Sequence, residues 1–549
     1  MEIFAAKDIS FTYPDRPEPA LKEVNFSIEK GEFVLLCGAS GSGKSTLLKL
    51  LKHDIAPHGY INGTLIFKGM ELKQIAPFVR AKEIGIVFQN PENQIVMEKV
   101  IGELLFGLEN VGYSTQEMRK KLAEMVHFFG LNHLLERNTN DLSGGEKQLL
   151  NLASVLLLDP EVLLLDEPTA QLDPIAAKEL IYMLKRINDE LGITIVIVEH
   201  RLEELFSIAN KVIVLENGRL IMQDTPREIV LKLAKHTYLE KLLPSASLVY
   251  LHYENQYESA NVPLSVKEAK QWLETKEIVE TLPINRKAKE KQKLLELSKI
   301  DFQYNKQERL VLNNLHLSVY QGEWLAILGA NGTGKTTLIK VISGIYRAQH
   351  GYLKYKGKKV KKVDSKIISY LPQNPALYFL RDTILEEYQY IAKQCKVKNA
   401  ENRIQELVVK FQIDHLKHRH PQDLSGGEQQ KAAMVGALIT NPAILLVDEP
   451  TKGIDPHAKE QVADLLRSLK EEGLTIIMVT HDVEFAANYS TRCALLFQGE
   501  ITVIEDTKKF FRQNAYYTTV MNRITRNTSA PPVVTLGETK FRWNVQKSY

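Results

Sequence analysis

Apolar positions along this chain fall into short runs set between polar, helical stretches. Phe33-Val-Leu-Leu-Cys37, Val162-Leu-Leu-Leu165 and Ile193-Thr-Ile-Val-Ile-Val198 have the length and the aliphatic composition of strands. Around them the pattern predicts short strands over Ile3–Tyr13 and Leu65–Phe67. A helix opens at Thr46-Leu-Leu-Lys-Leu50, a mostly helical stretch covers residues 95–140, and strands then alternate with helices. The second half repeats the succession, with Trp324-Leu-Ala-Ile-Leu328 as its apolar run and Thr337-Leu-Ile-Lys340 opening its helix. The fold class expected is α/β, a mixed core with a helical insertion in each half.

Short motifs confirm that the unit of repetition is a whole domain. Gln89-Asn-Pro91 returns 284 residues on as Gln373-Asn-Pro375, and Leu142-Ser-Gly-Gly-Glu146 returns 282 on as Leu424-Ser-Gly-Gly-Glu428. Val162-Leu-Leu-Leu-Asp-Glu-Pro168 returns as Ile444-Leu-Leu-Val-Asp-Glu-Pro450, and His200 returns as His481. The offset is 291 at Lys44 and Lys335, so seven residues are lost between Lys44 and Gln89, expected in a β-hairpin loop.

Each apolar run leads into G-x-x-x-x-G-K-[ST]. In the first half it is Gly38, Ala39, Ser40, Gly41, Ser42, Gly43, Lys44 and Ser45, followed by Thr46; in the second it is Gly329, Ala330, Asn331, Gly332, Thr333, Gly334, Lys335 and Thr336, followed by Thr337. Strand, glycine-rich loop and helix in that order make a phosphate cradle: backbone N–H groups curl round an anion at a helix N-terminus, whose dipole also favours negative charge. Lys44 and Lys335 would face the β/γ-phosphates, and Ser45 and Thr336 would ligate Mg²⁺.

Composition narrows the remaining classes. The chain has 549 residues, too many for one core, with 44% apolar and 25% charged residues, as in globular proteins. Three separated cysteines suggest neither a disulfide framework nor a zinc site. No run approaches the roughly 20 apolar residues of a membrane span, and Met1-Glu-Ile-Phe-Ala-Ala-Lys-Asp8 does not read as a signal peptide. If the protein works at a membrane, another subunit holds it there. A net charge of +3 gives no case for nucleic acid, and the basic clusters at 286–293 and 354–366 read as a solvated linker and hairpin.

Taken together the motifs resemble the nucleotide-binding domains of ABC ATPases, over residues 1–235 and 293–515. The most specific element is L-S-G-G-E, which ordinary P-loop proteins lack. The resemblance implies two tandem P-loop domains, each with an antiparallel β-subdomain and a helical subdomain, at 1–240 and 293–525. Residues 241–292 would be a linker or extension and 526–549 a mobile tail. It implies ATP and Mg²⁺ as ligands, with Asp166 and Asp448 holding the metal and Gln89 and Gln373 sensing it. Glu167 and Glu449 would polarise the attacking water, and His200 and His481 would contact the γ-phosphate. Tyr13 and Tyr304 would stack on adenine. Ser143, Gly144 and Gly145, with Ser425, Gly426 and Gly427, would face the nucleotide of the opposite half, so that the halves pair within one chain. Asp173 and Asp455 match the loop between the sites. Lys452-Gly-Ile-Asp455, and Arg201 where the family often has Asp, depart from the pattern and question equal turnover.

What the ATPase drives has two readings. Phe88-Gln-Asn-Pro-Glu-Asn-Gln-Ile95 and Val262-Pro-Leu-Ser-Val-Lys-Glu-Ala269 resemble energy-coupling-factor (ECF) ATPases. That resemblance implies a peripheral subunit on the cytoplasmic membrane face, partnered by a transmembrane coupling protein and a substrate-binding subunit. The alternative is an ABC-F-type translation factor, whose linker would be a long helical hairpin. Pro244, Pro263 and Pro283 interrupt such a helix here.

Overall fold

A computed structural model describes the chain except residues 15, 237–238, 255–256, 282–291, 306, 308, 361–365 and 546–549. It divides into two units, Met1–Trp272 and Leu273–Tyr549.

In the first unit the strands Phe33–Cys37, Thr194–Val198, Val162–Asp166 and Ile84–Val87 lie side by side in that order, all parallel. Lys211–Glu216 extends the sheet on the other flank of Phe33–Cys37, and antiparallel Arg219–Asp224 closes it. Successive side chains point to opposite faces, so each strand feeds two cores. Phe33, Leu35 and Cys37 enter one with residues of the helices Val100–Val111, Thr115–Phe129 and Gly144–Leu156. Val34 and Leu36 enter the other, with helix Lys44–Leu51 and Phe4, Phe11 and Phe67 of a four-stranded antiparallel sheet. Burial on both faces is why these strands read as unbroken apolar runs.

The second unit repeats the plan. Its parallel strands run in the order Ile368–Leu371, Ile444–Asp448, Thr475–Val479, Trp324–Leu328 and Arg492–Phe497. The seven-residue difference is split. Gly63 and Gly351, at φ +89° and +90°, both crowd strand backbone 288 residues apart. Three residues are therefore lost before that strand and four after it, rather than all in one hairpin loop. Cluster 286–293 and residues 361–365 of the other basic stretch lie, wholly or in large part, outside the described residues; Pro283 does too.

Beyond the cassettes the duplication continues. Residues 239–274 carry helices Ser245–Tyr253 and Val266–Glu274 and send Leu242, Tyr250, Val262 and Leu264 into the first unit's core. The tail expected to be mobile, 526–549, carries helix Leu536–Arg542 and buries Ala530, Val533, Val534 and Trp543; helix Val520–Thr525 stands just before it. The same polar fastenings hold both. Glu203 accepts Ser245 N–H at 3.0 Å, and Glu484, 281 residues on, accepts Val520 N–H at 2.7 Å. Glu268 accepts Leu264 N–H at 2.8 Å and pairs with Arg227 at 3.1 Å; Glu538 accepts Val534 N–H at 2.8 Å and pairs with Lys508 at 2.7 Å. Strand Trp543–Val545 then pairs antiparallel with Ile278–Glu280, with an ion pair between Arg542 and Glu280.

Burial works against the charge on Glu538, but the hydrogen bonds from Lys508 and Val534 N–H hold its carboxyl below the usual range. Its contribution is therefore complete above the ordinary Glu value of about 4.3 and fades as pH falls through the lower folded value. Glu538→Ala is expected to cost about 2 kcal/mol in urea unfolding at pH 7. The gap from the unmodified chain should narrow in acid.

Candidate functional site

Four neighbouring strand ends build each site. In the first unit Phe33–Cys37 delivers the glycine loop, Thr194–Val198 delivers His200, Val162–Asp166 delivers Asp166 and Glu167, and Ile84–Val87 delivers Gln89. Adjacent strands are about 4.8 Å apart, so side chains from all four can meet. Gly43 caps helix Lys44–Leu51 at φ +98°, and a Cβ there would come within 2.7 Å of Ala20 O. Gly334 repeats this at φ +99°. Only glycine fits both demands.

Within the loops, Lys44 Nζ donates to Gly38 O and Ala39 O at 3.0 and 2.8 Å; Lys335 Nζ donates to Gly329 O and Ala330 O at 3.0 and 2.9 Å. Ser42 Oγ is buried and has no hydrogen-bond partner among the described residues. Ser45 Oγ donates to Asp166 Oδ1 at 2.9 Å, and Thr336 Oγ1 to Asp448 Oδ1 at 3.2 Å. Hydroxyl beside carboxylate is a hard-oxygen donor set that fits Mg²⁺, which takes its remaining ligands from water and substrate phosphates. Burial raises both carboxyls, Asp448 to about 6. A bound cation reverses that trend.

The glutamates adopt the left-handed region, Glu167 at φ +46° and Glu449 at φ +50°. Each still donates its N–H to the neighbouring strand, at Val198 O and Val479 O. A non-glycine residue held this way costs about 1–3 kcal/mol and tends to sit at functional sites. Gln89 Nε2 donates to Glu167 Oε2 at 2.7 Å, and His200 Nε2 lies 2.9 Å from Oε1. In the second unit His481 Nδ1 lies 2.6 Å from Glu449 Oε2, while Gln373 makes no hydrogen bond to Glu449. Burial opposes the charge of Glu449, but His481 keeps its carboxyl below the usual range.

Tyr13 and Tyr304 sit at the P-loop helices, their hydroxyls 3.0 and 2.8 Å from Thr46 Oγ1 and Thr337 Oγ1. Ser143 and Ser425 cap helices Gly144–Leu156 and Gly426–Leu438 in capping boxes with Glu146 and Glu428. A Cβ on Gly145 would meet Leu172, just before Asp173. Asp173 and Asp455 cap the helices Pro174–Leu191 and Pro456–Glu471.

A family profile described as ABC transporter matches residues 21–170 and 312–452, more than half of the chain. The chain belongs to the ABC transporter family. It is 43% identical to a protein of Bacillus thuringiensis subsp. konkukian over 94% of each chain, and 32% identical to one of Methanosarcina mazei over 90% of this chain and 87% of that one. Both are provisionally named ABC transporter ATP-binding proteins. The solved structure of cbiO1 from Clostridium perfringens, part of the cbiONQ transporter complex, matches 43% of this chain and 96% of its own at 31% identity and TM-score 0.39. As a tandem ABC ATPase the chain binds ATP with Mg²⁺ and hydrolyses it.

Several residues at these sites carried no sequence signal. Glu199, fully buried, accepts the N–H of Thr169 and His200 in the first unit, where the second has Thr480. Glu103 and Glu387, both buried, accept the paired N–H groups of Val96 and Met97 and of Leu380 and Arg381. Beside His200 and His481 the units differ in charge. Arg201 donates to Leu172 O at 3.1 Å, whereas Asp482 caps helix Val483–Tyr489 and pairs with Lys459 at 2.8 Å. Burial opposes the Asp482 charge, but Lys459 pulls its carboxyl far below the ordinary range. The pair is therefore fully stabilising above pH about 4 and weakens only in stronger acid. Lys459→Met is expected to cost about 2 kcal/mol at pH 7. Thermal unfolding across pH would show the variant less acid-sensitive than the parent.

Proposed function

We propose that this chain is the energy-coupling ATPase of an ECF-type membrane importer, bound peripherally to the cytoplasmic face of the membrane through integral membrane subunits. The observation that carries the reading is a groove of about 410 Å³ in which Ile95, Val96 and Met97, on the stretch that follows Gln89, lie among the polar Glu92, Glu98, Thr139, Asn140 and Lys147. Val96 is 67% exposed, and the matching Leu380 of the second unit is 75% exposed. Aliphatic side chains held outward by a buried glutamate, at the same place in both units, suit an apolar helix from a membrane partner. Nucleotide-dependent movement of Gln89 and Gln373 would then reach that partner.

In this reading Lys44 and Lys335 draw charge from the β/γ-phosphates, and Ser45, Asp166 and Gln89, with Thr336, Asp448 and Gln373, surround the metal. Mg²⁺, when bound, neutralises charge on the phosphoryl oxygens. Glu167 and Glu449 polarise water, His200 and His481 address the γ-phosphate, and Tyr13 and Tyr304 flank adenine. Ser143–Gly145 and Ser425–Gly427 address the nucleotide of the opposite half. In this reading the cassettes span 1–240 and 293–525, with an extension after each.

The translation-factor reading loses support. The helices Ser245–Tyr253 and Val266–Glu274 have nine residues each and pack on the first unit, whereas a ribosome-reaching arm needs a long free hairpin. Among the described residues no helix is long and apolar enough to cross a membrane, so transport requires a partner.

The test is to express tagged Glu167→Gln, Glu449→Gln chain, expected to hold ATP, and to identify what co-purifies from separated membranes and ribosomes. Stoichiometric integral membrane proteins are expected; ATP-dependent retention of ribosomes would overturn the importer. Adding Val96→Glu and Leu380→Glu should abolish the membrane capture while changing stability by no more than about 0.5 kcal/mol.

A further inference from the structure

The two candidate metal carboxylates are not held alike. Asp448 is completely buried and accepts one donor on each oxygen: Thr336 Oγ1 on Oδ1 and the Tyr370 hydroxyl on Oδ2, both at 3.2 Å. Among the described residues Asp166 accepts from Ser45 alone, on Oδ1. The difference is one of position, not of register. Tyr370 pairs with Leu446 on the adjacent strand, and Ile86 pairs with the matching Leu164. Where the second unit has a phenol the first has an aliphatic side chain, with nothing to donate.

We propose that Tyr370 is a positioning residue for the metal-binding carboxylate of the second half, and that through it the second site holds Mg²⁺ with nucleotide more tightly than the first. This rests on the reading of Asp448 as a metal ligand.

The physical case is orientation. A carboxylate bonded through one oxygen can still swing about its side-chain torsions, and a donor on the second oxygen fixes its plane. Loss of such an outer partner typically costs about 10–100-fold in metal affinity. A phenol O–H can donate to the carboxylate, and the aliphatic side chain of Ile86 cannot.

The test uses the full chain carrying Glu167→Gln and Glu449→Gln, with ATP, and Mn²⁺ as the probe. Free Mn²⁺ is read by electron paramagnetic resonance, so the readout is metal occupancy rather than turnover. Lys44→Ala isolates the second site and Lys335→Ala the first. Tyr370→Phe, which keeps the ring, is expected to weaken Mn²⁺ binding at the second site about tenfold and leave the first unchanged. Ile86→Tyr is expected to tighten the first site. Unchanged affinity in Tyr370→Phe, or equal loosening of both sites, overturns the proposal. If Tyr370→Phe also lowers thermal stability, Ile86→Tyr decides: tightening upholds the proposal and no change overturns it. Asp448→Asn separates the two layers. If it leaves Mn²⁺ binding at the second site intact, the metal reading itself fails; if it abolishes binding while Tyr370→Phe does nothing, only the role of Tyr370 fails.

Discussion

Parallel strands bring their carboxyl ends to one edge, and everything at these sites depends on that constraint. Backbone pairing keeps Phe33–Cys37, Thr194–Val198, Val162–Asp166 and Ile84–Val87 in fixed register, with Asp166 opposite Val198 and Val87 opposite Leu165. Residues more than 150 positions apart in the chain, such as Ser45 and His200, are thereby delivered to one place. Such a sheet persists only if both faces are covered. The helical layer and the antiparallel layer are thus requirements of the site as much as decorations of the fold, and the alternating burial of Phe33 through Cys37 ties the two layers to a single strand.

That geometry also determines what could be read from the sequence. The glycine loops, Gln89, Asp166, Glu167 and His200, with their counterparts, were legible because each lies directly after an apolar strand, in a motif whose spacing is local. Residues that fasten one segment to another were not. Glu103, Glu199, Glu203 and Glu538 are single glutamates without a pattern, and their partners are chosen by topology. The second extension was hidden because the repeat offset shifts, from 281 at Glu203 and Glu484 to 270 at Glu268 and Glu538. What recurs there is a hydrogen-bonding arrangement on dissimilar side chains, Arg227 answering to Lys508, so that no motif survives to be matched.

Duplication has left one scaffold with two different settings. The glycine positions and lysines of the loops, the left-handed Glu167 and Glu449, and the buried Glu103 and Glu387 recur in both units, since each answers to backbone geometry. The side chains free to vary around them are not the same. Glu199 faces Thr480, Arg201 faces Asp482, and Ile86 faces Tyr370 across the repeat. At the carboxylates and beside His200 and His481 these differences change charge and hydrogen bonding, while the cores vary among apolar residues, as with Phe33 and Trp324. The extensions add a further link, because Glu203 and Glu484 stand three residues beyond those histidines. Movement of either histidine loop would therefore be felt by the helix fastened to it.

The most direct test of the sites built by these strand ends is ATP turnover by the purified chain with Glu167→Gln and Glu449→Gln, singly and together, alongside retained nucleotide. Loss of a positioned group of this kind typically costs about 10²–10⁴-fold in rate. Each single variant is expected to lower turnover, and the double variant is expected to keep ATP bound while losing hydrolysis by at least two orders of magnitude. Turnover at the parent rate in the double variant would contradict the account, since the two left-handed glutamates would then not be where the chemistry occurs.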